Sequence, residues 1–127
     1  MLMADRINND KNEFVRHMLA RTKLYAVDVI KYTRTLTDSP EMRVVRYQII
    51  KCATSMASNY RAACRARSNR EFFAKISIAV EECDETCFWI EVINDTQIDV
   101  SEQSIKLHQE GIELLNIMSA ARRNIKF

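Results

Sequence analysis

Cys83 and Cys87 stand one helical turn apart, a spacing that can aim two thiolates at a single metal ion. The remaining ligands would have to come from Cys52 and Cys64, which are twelve residues apart on a different segment, so small, buried, reduced thiols are the expectation for all four. Glu82 and Glu85 share a helical face and invite comparison with di-iron bundles. Those sites need Glu-x-x-His pairs, and neither His17 nor His108 follows a glutamate at that spacing. Two isolated histidines supply no base for a serine or cysteine nucleophile, and one glycine supplies no phosphate-cradling loop. The residues therefore predict no catalytic site, no metal and no cofactor. Glu82 and Glu85 are expected instead to join Ser55 and Asn59, or basic residues of the preceding segment, in a partly buried polar network that fixes helix register.

Positive charge is the one feature that points outward to a ligand. Between residues 41 and 70 the cations are Arg43, Arg46, Lys51, Arg61, Arg65, Arg67 and Arg70, against Glu41 alone. Between residues 71 and 95 the balance inverts: Lys75 stands alone among Glu71, Glu81, Glu82, Asp84, Glu85, Glu91 and Asp95. Arg61 and Arg65 share a face, Arg67 and Arg70 flank a helix junction, and Lys75 follows one turn later. Phosphate contacts need only such charge at suitable spacing, without base readout, so this set is the candidate RNA- or DNA-binding surface. Tyr60 is a candidate stacking group beside it, and Arg122, Arg123 and Lys126 add a basic C-terminal segment.

The elements that must position these residues are all helical. At 127 residues with 47% hydrophobic and 28% charged side chains, the chain fits one domain with a true core. One glycine and one proline leave little material for the tight turns of a sheet. The first helix spans roughly residues 12–36, with Val15, Met18, Thr22, Tyr25, Val29, Tyr32 and Leu36 inward. Ser39-Pro40 starts a second helix, roughly 40–67, whose inner stripe Val45, Ile49, Cys52, Met56, Asn59, Ala63 and Ala66 shrinks along its length. Ser68 to Glu71 is a capping box opening a third helix, roughly 69–94, with Phe72, Ile76, Ala79, Cys83, Thr86, Ile90 and Ile93 inward. Asp99 or Ser101 caps the fourth, roughly 100–124, carrying Leu107, Leu114, Met118 and Ala121, with Gly111 marking a close helix approach. Short connections make this an all-α, antiparallel, up-down-up-down four-helix bundle.

Leu24, Val27 and Ile30 of the first helix, and Phe73, Val80, Phe88 and Val92 of the third, fall off these stripes. A second apolar face on a slim bundle implies self-association. No window is apolar enough to span a membrane, and residues 1–14 carry no run suited to a signal peptide, so the cytoplasm is the expected compartment.

Residues 48–93 resemble the bacterial 23S rRNA-intervening-sequence protein family. The second helix reads QIIKCATSMASN, matching the family pattern at Gln48, Thr54, Ser55 and Asn59. The cap reads SNREF, matching at Ser68, Glu71 and Phe72, followed by Lys75 and Ile78-Ala79. The third helix reads EECDETCFWIEVI, matching at Glu82, Glu85, Thr86, Trp89 and Glu91. Glu81 stands where the family usually has Lys, Ala62 where Glu is common, and Cys83 where Ala is. The resemblance implies a four-helix bundle without enzymatic activity that assembles as a homopentameric ring. It also implies similarity to accessory proteins of diversity-generating retroelements, whose basic ring contacts nucleic acid and a reverse transcriptase. In a ring, five copies of a small basic patch would form a belt. The expected function is thus non-enzymatic RNA or DNA binding by an oligomeric bundle, with a protein-interaction scaffold as the alternative.

Overall fold

The computed structural model describes the backbone of residues 3–127 and the side chains of residues 11–127. Its elements are α1 (Met3–Thr33), α2 (Pro40–Cys64), α3 (Asn69–Asp95) and α4 (Glu102–Arg123). Each helix packs on its neighbours in sequence, and α1 closes the circuit against α4, giving the all-α four-helix bundle. No strand occurs among the described residues.

The starts of α2, α3 and α4 each follow from a hydroxyl that accepts an otherwise orphaned backbone N–H. Ser39 caps Met42 at 3.0 Å, Ser68 caps Glu71 at 3.1 Å and Ser101 caps Ser104 at 3.3 Å. Ser101, not Asp99, is thus the cap of α4. Asp99 instead accepts the Tyr32 hydroxyl at 2.7 Å and the Ser101 hydroxyl at 2.6 Å, tying the α3–α4 connection to α1.

The ends differ from the sequence expectation for local reasons. Helix α1 starts nine residues earlier than the apolar periodicity suggested, because residues 3–11 are helix-compatible although they lack that periodicity. It ends at Thr33, and Arg34, Thr35 and Leu36 continue only as tight i→i−3 turns. Helix α2 stops at Cys64, not 67. Ser68 must be extended (φ −154°, ψ 162°) to cap α3, so the chain leaves the helix at Arg65, which bonds back to Ala62. Helix α3 ends in a Schellman-type turn, with Ile98 N–H on Ile93 O at 3.1 Å and Gln97 at φ 59°.

Most of the inward stripes are buried as read, including Met18, Tyr25, Val29, Tyr32, Val45, Ile49, Met56, Ile76, Ile90, Ile93, Leu114 and Met118. Two residues exchange places on α2: Tyr60 is buried at 6% exposure and Asn59 is only half-buried. Trp89 is also half-buried, resting on the core edge and on Phe88. Of the off-stripe residues, Leu24, Val27 and Phe88 are exposed, while Ile30, Phe73, Val80 and Val92 are half-buried against helix flanks.

Gly111 lies where three helices converge. A Cβ there would meet the Tyr25 hydroxyl at 2.6 Å and Cys87 Sγ at 2.8 Å. The Tyr25 ring cannot simply swing away, because it is buried and its hydroxyl donates to Leu107 O at 3.0 Å. Replacing Gly111 by Ala is expected to destabilise the protein by about 1–3 kcal/mol through overpacking, outweighing the gain of about 1 kcal/mol in helix propensity. Urea unfolding checks this, and the loss should shrink in a Tyr25→Phe background, where the clashing oxygen is gone. Gln97→Gly acts in the opposite sense. It relieves a left-handed backbone at a cost to a non-glycine residue of about 1–2 kcal/mol, so the variant should melt at a higher temperature.

Candidate nucleic-acid interface

The five basic residues predicted to form one surface divide between two. Arg61 and Arg65 are exposed on the outer side of α2 and line a groove of about 650 Å3 between α1 and α2, together with Lys23. Its walls are Leu19, Val27, Ile30 and Ala57. Arg67 and Arg70 lie instead at the end of the bundle, in and beside the connection from α2 to α3. Lys75 is half-buried one turn farther along α3.

The bundle end gains cations that sequence spacing alone did not join to the junction. Asn69 donates to Lys126 O at 2.7 Å, and the Arg122 guanidinium stacks 5.1 Å over Phe73. Phe127 packs edge-on against the same ring, at 5.3 Å between centroids. The basic segment after α4 is thereby folded onto the start of α3, next to Arg67 and Arg70. Lys11 shares a cleft there with Arg67, Asn69 and Asn124. Among the described residues, Arg67 has one carboxylate partner, Glu71 at 3.5 Å, and Arg70, Arg122, Arg123 and Lys126 have none within 4.0 Å. Arg70 also occupies the first turn of α3, where the helix dipole disfavours a cation, so this end concentrates positive potential. Tyr60 is buried below this surface and offers no stacking platform.

By contrast, the cations nearer the α1–α2 turn are neutralised. Asp38 receives Arg43 at 3.1 Å and Arg46 at 3.5 Å, and these guanidinium contacts, Arg43 foremost, lower its carboxyl pKa. Arg21 is held by Glu110 at 2.6 Å and Glu113 at 2.9 Å, clamping α1 to α4.

Ser55, Asn59, Glu82 and Glu85 do not join into one interhelical network within the chain. Asn59 turns back along α2 to Ser55 O (2.9 Å) and Ser55 Oγ (3.2 Å). Glu85 accepts only the Trp89 indole N–H, at 3.4 Å. Helices α2 and α3 are bridged by a contact that the sequence reading missed: Thr86 donates to Glu82 O at 2.8 Å, with its hydroxyl 3.1 Å from Cys52 Sγ. The signal was Thr86 on an otherwise apolar stripe opposite Cys52.

The thiols are buried or half-buried, and none is in a disulfide. Burial pushes the Cys52 thiol up to about 11. Cys83 is raised further by its hydrogen bond with Cys87 and by burial. Protonated at neutral pH, such thiols are poor nucleophiles and poor ligands. No three metal-ligating side chains converge among the described residues, and no helix there is long and apolar enough to cross a membrane.

Partial burial, then the nearby Glu85 charge, raises the Glu82 pKa in the folded chain. A carboxyl with a raised folded pKa adds stability while protonated, and loses it as pH rises through that value. Glu82→Gln should therefore raise the melting temperature at pH 7. The gain should vanish below the ordinary glutamate pKa of 4.5, as scanning calorimetry across that window would record.

Comparison with known proteins supports the architecture. A crystal structure from Bacteroides thetaiotaomicron VPI-5482, described as a protein of unknown function from the S23 ribosomal protein family, superposes with a TM-score of 0.79. It is 24% identical and covers 87% of this chain and 98% of its own, a likeness of fold. No curated protein matches the chain. Residues 17–120 match the family described as 23S rRNA-intervening sequence protein, and the chain belongs to that family.

Proposed function

We propose that the protein is a non-enzymatic, self-associating helical bundle that binds RNA or DNA through its basic end, with little sequence preference. The observation that carries this is the convergence of Arg67, Arg70, Arg122, Arg123 and Lys126 at the α2–α3 junction, with Glu71 the one paired carboxylate among the described residues. Cations brought together without partners repel one another, and a polyanion relieves that repulsion by releasing its own condensed counterions. Phosphate contacts need no base readout, which fits binding with little sequence preference.

Self-association is supported by the exposed apolar residues Leu24 (58%) and Val27 (37%) of α1 and Phe88 (52%) of α3. A ring, pentameric as the family resemblance implies, would repeat the basic end around an axis and multiply weak phosphate contacts. Similarity to retroelement accessory proteins extends the proposal to a reverse transcriptase as a further partner. The same exposed apolar residues favour the alternative of a protein scaffold with no nucleic acid.

The test is fluorescence anisotropy with labelled single- and double-stranded RNA and DNA across a salt series. Binding should weaken linearly in a log–log plot against salt, with a slope set by the number of phosphates neutralised. Arg67→Glu/Arg70→Glu should abolish it while leaving the fold intact, since Glu suits the first turn of α3. Absence of binding at low salt would leave the scaffold alternative.

A further inference from the structure

The groove between α1 and α2 and the outer ridge of α3 have opposite charge and matching apolar content. The groove holds Lys23, Arg61 and Arg65 beside Val27, Ile30 and Ala57. Among the described residues none of its three cations has a carboxylate within 4.0 Å. The ridge presents Glu81, Asp84, Glu85 and Phe88 at one-turn spacings, again without ion pairs among the described residues. Phe88 is 52% exposed, yet its ring is braced edge-on by Trp89 at 5.1 Å, whose indole also holds Glu85. A large apolar side chain held upright on an acidic ridge is a knob without a hole on its own chain.

Heights along the bundle agree. The Thr86–Cys52 contact puts those residues level on antiparallel helices, so Glu81 stands level with Ala57 and Phe88 with Ile50. Side chains on a helix lean towards its N-terminus. Arg61 therefore reaches back towards the height of Ala57, to which Glu85 leans from α3, and Phe88 reaches back towards the height of Thr54, which lines the groove together with Val27 and Ile30. A second copy lying alongside in the same orientation meets these requirements with no shift along the axis.

Resting on the self-association proposed above, we infer that the α1–α2 groove of one copy receives the α3 ridge of the next, with Phe88 against Val27 and Ile30 and with Glu81 and Glu85 facing Arg61 and Lys23. Groove and ridge are different surfaces, so the contact is head-to-tail. Each copy leaves one of each open until a ring closes, and zero axial shift is what closure requires. Arg61 and Arg65 thereby belong to the subunit contact, and the bundle end keeps the cations left for phosphate.

Light scattering and sedimentation of the full chain, with circular dichroism as the folding control, test the pairing. Arg61→Glu/Arg65→Glu and Glu81→Lys/Glu85→Lys should each be folded and reduced to the mass of a monomer. Combining all four substitutions in one chain should restore assembly, because the reversed charges again attract, whereas mixing the two variants should restore alternating association without closing a five-membered ring. Phe88→Ala should weaken assembly without loss of helicity. If the wild type assembles and the charge-reversed chains remain assembled, or the combined chain stays monomeric, the groove–ridge pairing is overturned while self-association stands. If the wild type is itself a strict monomer, both fall.

Discussion

Around Gly111 the absence of one methyl group allows three helices to meet. Tyr25 of α1 reaches across to a carbonyl of α4, the Cys83 thiol donates to Gly111 O at 3.3 Å, and Cys87 fills the space that remains. Each of these contacts is satisfied only at one rotation and one height of its helix. Thr86 and Cys52 then carry the same register to α2. In a bundle of amphipathic helices, apolar burial favours association but tolerates sliding, whereas buried hydroxyl and thiol groups need particular partners. The polar contacts inside this core therefore set the alignment that hydrophobic stripes alone leave loose.

That alignment has an electrical consequence. The basic segment and the acidic segment are consecutive helices, and neutralisation across the α2–α3 contact would have been the simplest outcome. It does not occur. Apart from Arg67 with Glu71 at the junction, the acids of α3 and the arginines of α2 form no ion pair among the described residues, and other partners serve: Asp38 for Arg43 and Arg46, Glu110 and Glu113 for Arg21. Exposed charges stay hydrated and are screened by salt, so the isolated chain tolerates their separation. Their segregation gives the molecule distinct basic, acidic and neutral faces without any buried charge pair.

Buried thiols and hydroxyls among the described residues serve packing, as Cys83 does at Gly111 O and Thr86 at Glu82 O. Its hydrogen bond with Cys87 and its burial hold the proton on Cys83, and Glu82 and Glu85 sit half-buried on a helix flank.

Serine caps, proline at the start of α2 and the three-to-four spacing of apolar residues are local signals, and they determined four helices, their order and most of the core. Local signals also misjudge ends, as at Cys64, where the cap of the next helix outcompetes three further residues of α2. Asn59 and Tyr60 are adjacent on a strip of small residues, and only the approach of α3 and the chain ends decided which one is buried. The same holds for the basic set. Sequence spacing put Arg61, Arg65, Arg67 and Arg70 in one run, but α2 ends at Cys64 with Arg65 as its cap. The change of direction sends the first two to the α1 groove and the last two to the bundle end beside Arg122 and Lys126. Periodicity is a property of one helix and can be read from it, whereas a surface shared by residues from several helices exists only once their rotations and heights are fixed together.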